Sequence, residues 1–79
     1  MGEEAIRAAV IRALRALGCQ ADQILPVHEL QSDLGVDSTE LVELSALIKN
    51  EVVMMERRVS LLGVNTVDDV VQRIKNHVG

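Results

Sequence analysis

Asp33-Leu34-Gly35-Val36-Asp37-Ser38 decides the fold, because the hydrophobic period changes across it. On its C-terminal side Leu41, Leu44, Leu47, Ile48 and Val52 share one helical face, and Asp37 followed by Glu40 makes a capping-box arrangement with an acid as the cap. That spacing predicts a helix from Ser38 to Val52 or a little beyond. On its N-terminal side, from Gly18 to Asp37, no period survives, and the chain carries its single proline, Pro26. So long a connection in a small domain is either functional or anchored at several points. Ile24, Leu25, Val27, Leu30 and Leu34 read as the anchors, pinning a loop along a helical body, with a short turn of helix near Val27 to Gln31.

Working outward, Ile6, Val10, Ala13, Leu14 and Leu17 recur at helical spacing, with acids at the start, Arg12 and Arg15 toward the end, and Gly18 as a stop. A first helix over about 3 to 17 follows. Near the other end Thr66 and Asp69 form a second capping-box start, and Val67, Val70, Val71, Ile74 and Val78 make a stripe, giving a helix over about 67 to 77. Between them Val53, Met54 and Met55 extend the apolar run while Gly63 and Asn65 break it, which leaves room for a short helix around Val59 to Leu62. The two methionines read first as flexible packing, and second as part of an apolar cleft. The expected fold is an all-α four-helix bundle, three longer helices and one short third helix, with a long loop between the first two. It occupies residues 1–79 as a single domain.

Composition narrows the function. A chain of 79 residues buries only about 60% of its unfolded surface, so a deep active-site cavity is not expected. There is no Phe, Tyr or Trp to stack bases, and the net charge of -4 repels phosphate backbones and anionic membranes. Partners are therefore expected to be proteins, with no nucleic acid and no membrane. The single Cys19 excludes an intramolecular disulfide, suits a reducing cytoplasm and reads as a small side chain just past a helix. With two separated histidines, His28 and His77, no metal site is expected. No run approaches a membrane span, and Met1-Gly2-Glu3-Glu4 lacks the basic start of a signal peptide, so a cytoplasmic location is expected. Met1 and a complete bundle favour a free-standing protein, and a monomer is expected.

Ser38 is the residue whose placement suggests chemistry. Gly35 permits a tight, positive-φ turn, Asp37 caps the helix, and Ser38 then falls in its first turn facing solvent. Unpaired amides and the positive end of the helix dipole favour a phosphate there, although the Asp37 carboxylate competes for the same amides. A nucleophilic serine needs a base and an orienting group, which His28 in the loop and His77 near the terminus do not offer. Ser38 therefore reads as a group to be modified, with no catalytic residue in the chain. An Asp-Ser pair is also an ordinary helix start, and a docking module without cofactor remains an alternative.

Leu34-Gly35-Val36-Asp37-Ser38 resembles the phosphopantetheine attachment site of acyl carrier proteins, where a Leu-Gly turn precedes an Asp-Ser pair opening the second helix. The resemblance covers nearly the whole chain through helix order and loop lengths. It implies a 4′-phosphopantetheine arm on Ser38, flanked by Asp37, added by a separate phosphopantetheinyl transferase and holding acyl groups as thioesters. It also implies that acyl-loading and acyl-processing enzymes dock on the outer face of the second helix, here Thr39, Glu40, Val42, Glu43 and Ala46. A peptidyl or aminoacyl carrier is similar in shape, but Val36 and Asp37 lean toward the acyl type. Thr39 in place of the usual Leu, Lys49 and Asn50 on a normally acidic helix, and Arg57-Arg58 beyond it depart from the family pattern. They point to a specialised biosynthetic pathway with dedicated enzymes, of polyketide, fatty-acid-like or other secondary-metabolite type.

Overall fold

The structure, a computed structural model, describes residues 2–52 and 57–78, with the backbone alone at residue 78. It contains α1 (Glu3–Leu17), α2 (Ser38–Glu51) and α3 (Val67–Val78), and no strand among the described residues. α1 packs against both α2 and α3, while the two outer helices do not pack on each other.

Each helix forms where local chemistry completes its ends. α1 begins with Glu3 and Glu4 and ends at Gly18, whose φ of 115° lets the chain turn so that the amides of Gly18 and Cys19 reach the carbonyls of Arg15 and Leu14. Arg15 then donates to the carbonyls of Cys19, Ala21 and Asp22, tying the start of the long loop to the helix it leaves. At the opposite end of α1, Glu3 takes hydrogen bonds from Gln72 and Lys75 of α3, and these hold its carboxyl below the usual range.

The core is aliphatic. Ile6, Ala9, Val10, Ala13 and Leu14 of α1 meet Leu44, Ile48 and Val52 at α2 and Val67, Val70, Val71 and Ile74 of α3, all essentially without solvent contact. The predicted stripes are found among these residues, with Leu17, Leu41 and Leu47 half-buried at the margins; the side chain of Val78, also expected in the stripe, lies outside the description. Val53, Met54 and Met55 lie outside the described residues.

Two sequence expectations are corrected. The short third helix expected at Val59 to Leu62 is absent, so among the described residues the helix count is three. Val59 and Leu61 are buried whereas Ser60 and Leu62 are exposed, an alternation of two that belongs to extended chain. Local partners hold that form: the Leu62 amide donates to Ser60 Oγ at 3.3 Å, and Arg73 of α3 donates to the carbonyls of Ser60 and Leu62. Arg73 thereby ties the extended segment to α3.

The second correction concerns the loop. Ile24 and Leu30 are buried and Leu34 half-buried, as anchors should be, but Leu25 is 42% and Val27 75% exposed. Val36 anchors it instead. Nor is there a helix near Val27 to Gln31: turns form at 26–27 and 30–34, the latter closed by Asp33 and Leu34 amides on the Glu29 carbonyl. The loop is also held by its backbone. Carbonyls of Pro26 and His28 accept the amides of Asp68 and Val67 at 2.9 and 3.0 Å, and the Leu30 amide donates to Asn65 at 2.8 Å. Two first-turn amides of α3, those of Val67 and Asp68, which its own backbone leaves open, are satisfied by this loop.

Candidate functional site

The loop delivers the chain to α2 through Gly35, at a φ of 70° that a side chain resists, and through Val36, whose amide donates to the Leu30 carbonyl at 2.7 Å. Asp37 is extended at φ -88° and caps the helix. Its Oδ1 accepts the Glu40 amide at 2.8 Å, and Glu40 Oε1 accepts the Asp37 amide at 3.3 Å, so the predicted box is complete with an acid as cap. Ser38, the first helical residue, is exposed. The box spends one first-turn amide and places two carboxylates beside Ser38.

Ser38 stands between two hollows. The larger, about 490 Å³, lies between α2 and the extended segment, and is lined by Ser38, Leu41, Val42 and Ser45 on one wall and 58–62 on the other. The smaller, about 240 Å³, opens toward the loop, where Glu29, Gln31 and 63–65 join Ser38, Leu41 and Leu62. Leu62, 82% exposed, is common to both. Ser45 is buried, and its hydroxyl donates to the Val42 carbonyl at 2.9 Å, so the cleft floor holds no unsatisfied hydroxyl donor there. Arg58 is the one cation among the described lining residues of the larger hollow.

Neither histidine lines these hollows among the described residues. His28 Nδ1 accepts the Leu25 amide at 3.1 Å, a bond that shapes the loop, and His77 is exposed in the last turn of α3. Cys19, free and half-buried, follows the end of α1. Among the described residues no three His, Cys, Asp or Glu side chains gather as a metal site would need. Among the described residues no helix is long and apolar enough to cross a membrane.

Of the residues assigned to an outer docking face, Thr39, Val42 and Glu43 are exposed, while Glu40 and Ala46 are half-buried and Glu40 is engaged in the cap. Val42, 60% exposed, belongs to the cleft wall. The α2 wall carries a signal in its spacing, Ser38, Leu41, Val42 and Ser45 at i, i+3, i+4 and i+7, but Leu41 reads as core, Val42 as outer face, and Ser45 is not singled out. The facing wall, with Arg58, Ser60 and Leu62, was missed because that segment reads as helix.

A phosphopantetheine arm has a phosphodiester at its serine end and an apolar-polar tail ending in a thiol. The residues present fit it: an exposed hydroxyl at the mouth of an open, largely apolar hollow, with a guanidinium in the lining.

No family model matches the chain, and no solved structure matches it. A curated relative, the acyl carrier protein of Saccharopolyspora erythraea, is 41% identical over 56 residues, 71% of this chain. The aligned region is 59% of that relative's length.

Proposed function

As a member of the acyl carrier protein family, the chain, we propose, carries acyl intermediates as thioesters on a phosphopantetheine arm attached to Ser38. The observation that carries this reading is the exposed Ser38 hydroxyl at the first turn of a capped helix, at the mouth of an open cleft. The chain's own part is presentation. The Asp37–Glu40 box fixes where α2 begins, and Gly35 with Val36 fixes how the chain enters it. Ser38 Oγ is thereby offered to a separate phosphopantetheinyl transferase, which joins it to the phosphorus of the arm as the bond to the adenosine bisphosphate of coenzyme A breaks. The arm, once bound, supplies the thiol that holds the acyl group.

Loading and processing enzymes would approach along Thr39, Val42 and Glu43, the exposed residues next to Ser38. Thr39, Lys49 and Arg57-Arg58 depart from the family pattern on this surface, which supports a specialised pathway with dedicated enzymes. Incubation with coenzyme A and a phosphopantetheinyl transferase should add the mass of one arm, and Ser38→Ala should abolish the gain while leaving the circular dichroism unchanged. A wild-type chain whose intact mass stays constant with several such transferases would falsify the assignment.

A further inference from the structure

Resting on the attachment at Ser38, we propose that Arg58 is the counter-ion of the arm's phosphodiester and holds the arm's first bonds against the larger hollow. The anion would be attached at the first residue of α2, where a helix start ordinarily offers amides. Here the Glu40 amide already donates to Asp37 Oδ1, and the Asp37 amide to Glu40 Oε1. Both carboxylates flank the attachment point, so a phosphodiester there meets like charge on the cap side. On the cleft side it meets Arg58, which shares the lining of one hollow with Ser38 and makes no ion pair among the described residues.

The rest of that lining is Leu41, Val42, Val59, Leu61 and Leu62 with three serines, so the guanidinium is the feature able to set a direction for the anion. Its planar fork matches phosphate oxygens better than an ammonium does. The wall bearing Arg58 is itself braced, because Arg73 of α3 holds the carbonyls of Ser60 and Leu62 two and four residues on. Arg57, the adjacent cation, does not line the hollow and serves as an internal control.

The test uses the whole chain before and after loading from coenzyme A, followed by intact mass and NMR. On loading, the Arg58 side-chain Nε resonance of the wild type should shift, a readout needing no variant. In loaded Arg58→Gln the phosphorus resonance should narrow toward that of a free phosphodiester, in Arg58→Lys only in part, and in Arg57→Gln not at all. The held arm should be favoured about fivefold at low salt and progressively less as salt is added, as for an exposed charge pair. Mass gain at Ser38 with an unmoved Arg58 signal and an unchanged phosphorus line in Arg58→Gln overturns the role of Arg58 alone. Absence of any mass gain overturns the attachment and this proposal together.

Discussion

The two capping boxes, Asp37–Glu40 at α2 and Thr66–Asp69 at α3, use the same local device for opposite ends. In the second, Asp69 Oδ2 accepts the amides of Asn65 and Thr66 at 3.0 and 3.1 Å, and Thr66 Oγ1 accepts that of Asp69 at 3.1 Å. The long loop then closes over that start, its carbonyls taking the amides of Val67 and Asp68. At α2 the box stands by itself, and the next residue, Ser38, faces the two hollows. One start is sealed by tertiary structure and the other left open, and the open one carries the group proposed for modification. A cap therefore says where a helix begins but not what that beginning is for.

The largest effect expected is at the sealed start. Leu30 is buried beneath the loop and its amide and carbonyl bond to Asn65 and Val36, so Leu30→Ala should cost about 2–5 kcal/mol in denaturant unfolding. A loss no greater than that of a cap would mean that the loop does not seal α3. Removing either cap, by Asp37→Ala or Thr66→Ala, should cost about 1 kcal/mol. The comparison sharpens in a second readout: Asp37→Ala should slow transfer of the arm to Ser38, and Thr66→Ala should leave that rate unchanged. Equal slowing by both would show that the two starts are not independent.

Arg73→Gln should be milder, below about 1 kcal/mol, because the carbonyls it releases at Ser60 and Leu62 belong to exposed residues and are left to water. Its signature should be local, with amide shifts at Ser38, Leu41 and Val42 across the cleft. Shifts confined to α3 would deny that Arg73 braces that wall. The smallest effect is on pH dependence. Backbone hydrogen bonds from Asn65 and Thr66 hold the Asp69 carboxyl below its usual value, so its folded pKa lies under its unfolded one. The stability it contributes is then present at neutral pH and lost as pH falls from the ordinary aspartate range through the lowered folded value. Glu3 acts with the same sign, so the difference between wild type and Asp69→Asn is the informative quantity. That difference should shrink across this acid window; a constant gap would remove the linkage.

Much of this is legible in the sequence alone. The three helices, both boxes and the buried stripes depend on spacing within one segment, and near-neighbour patterns dictate them. Ser38 was legible for the same reason. The segment from Val59 to Leu62 was not, because four residues fit either period, and the side chain that hydrogen-bonds its carbonyls, Arg73, lies a dozen or so positions away. Leu25 and Val27 were misread as anchors because a loop's apolar residues carry no period that says which face inward. Val36, flanked by Gly35 and Asp37, was overlooked.

By itself, then, the sequence determined an all-α chain with a serine at the open end of a capped helix, since caps and stripes are short-range matters of hydrogen bonding and burial. Only the tertiary structure decided what surrounds that serine. Segments remote along the chain built the second wall of the cleft, brought Arg58 into it and sealed the competing helix start, because backbone groups left open by local structure found their partners far away.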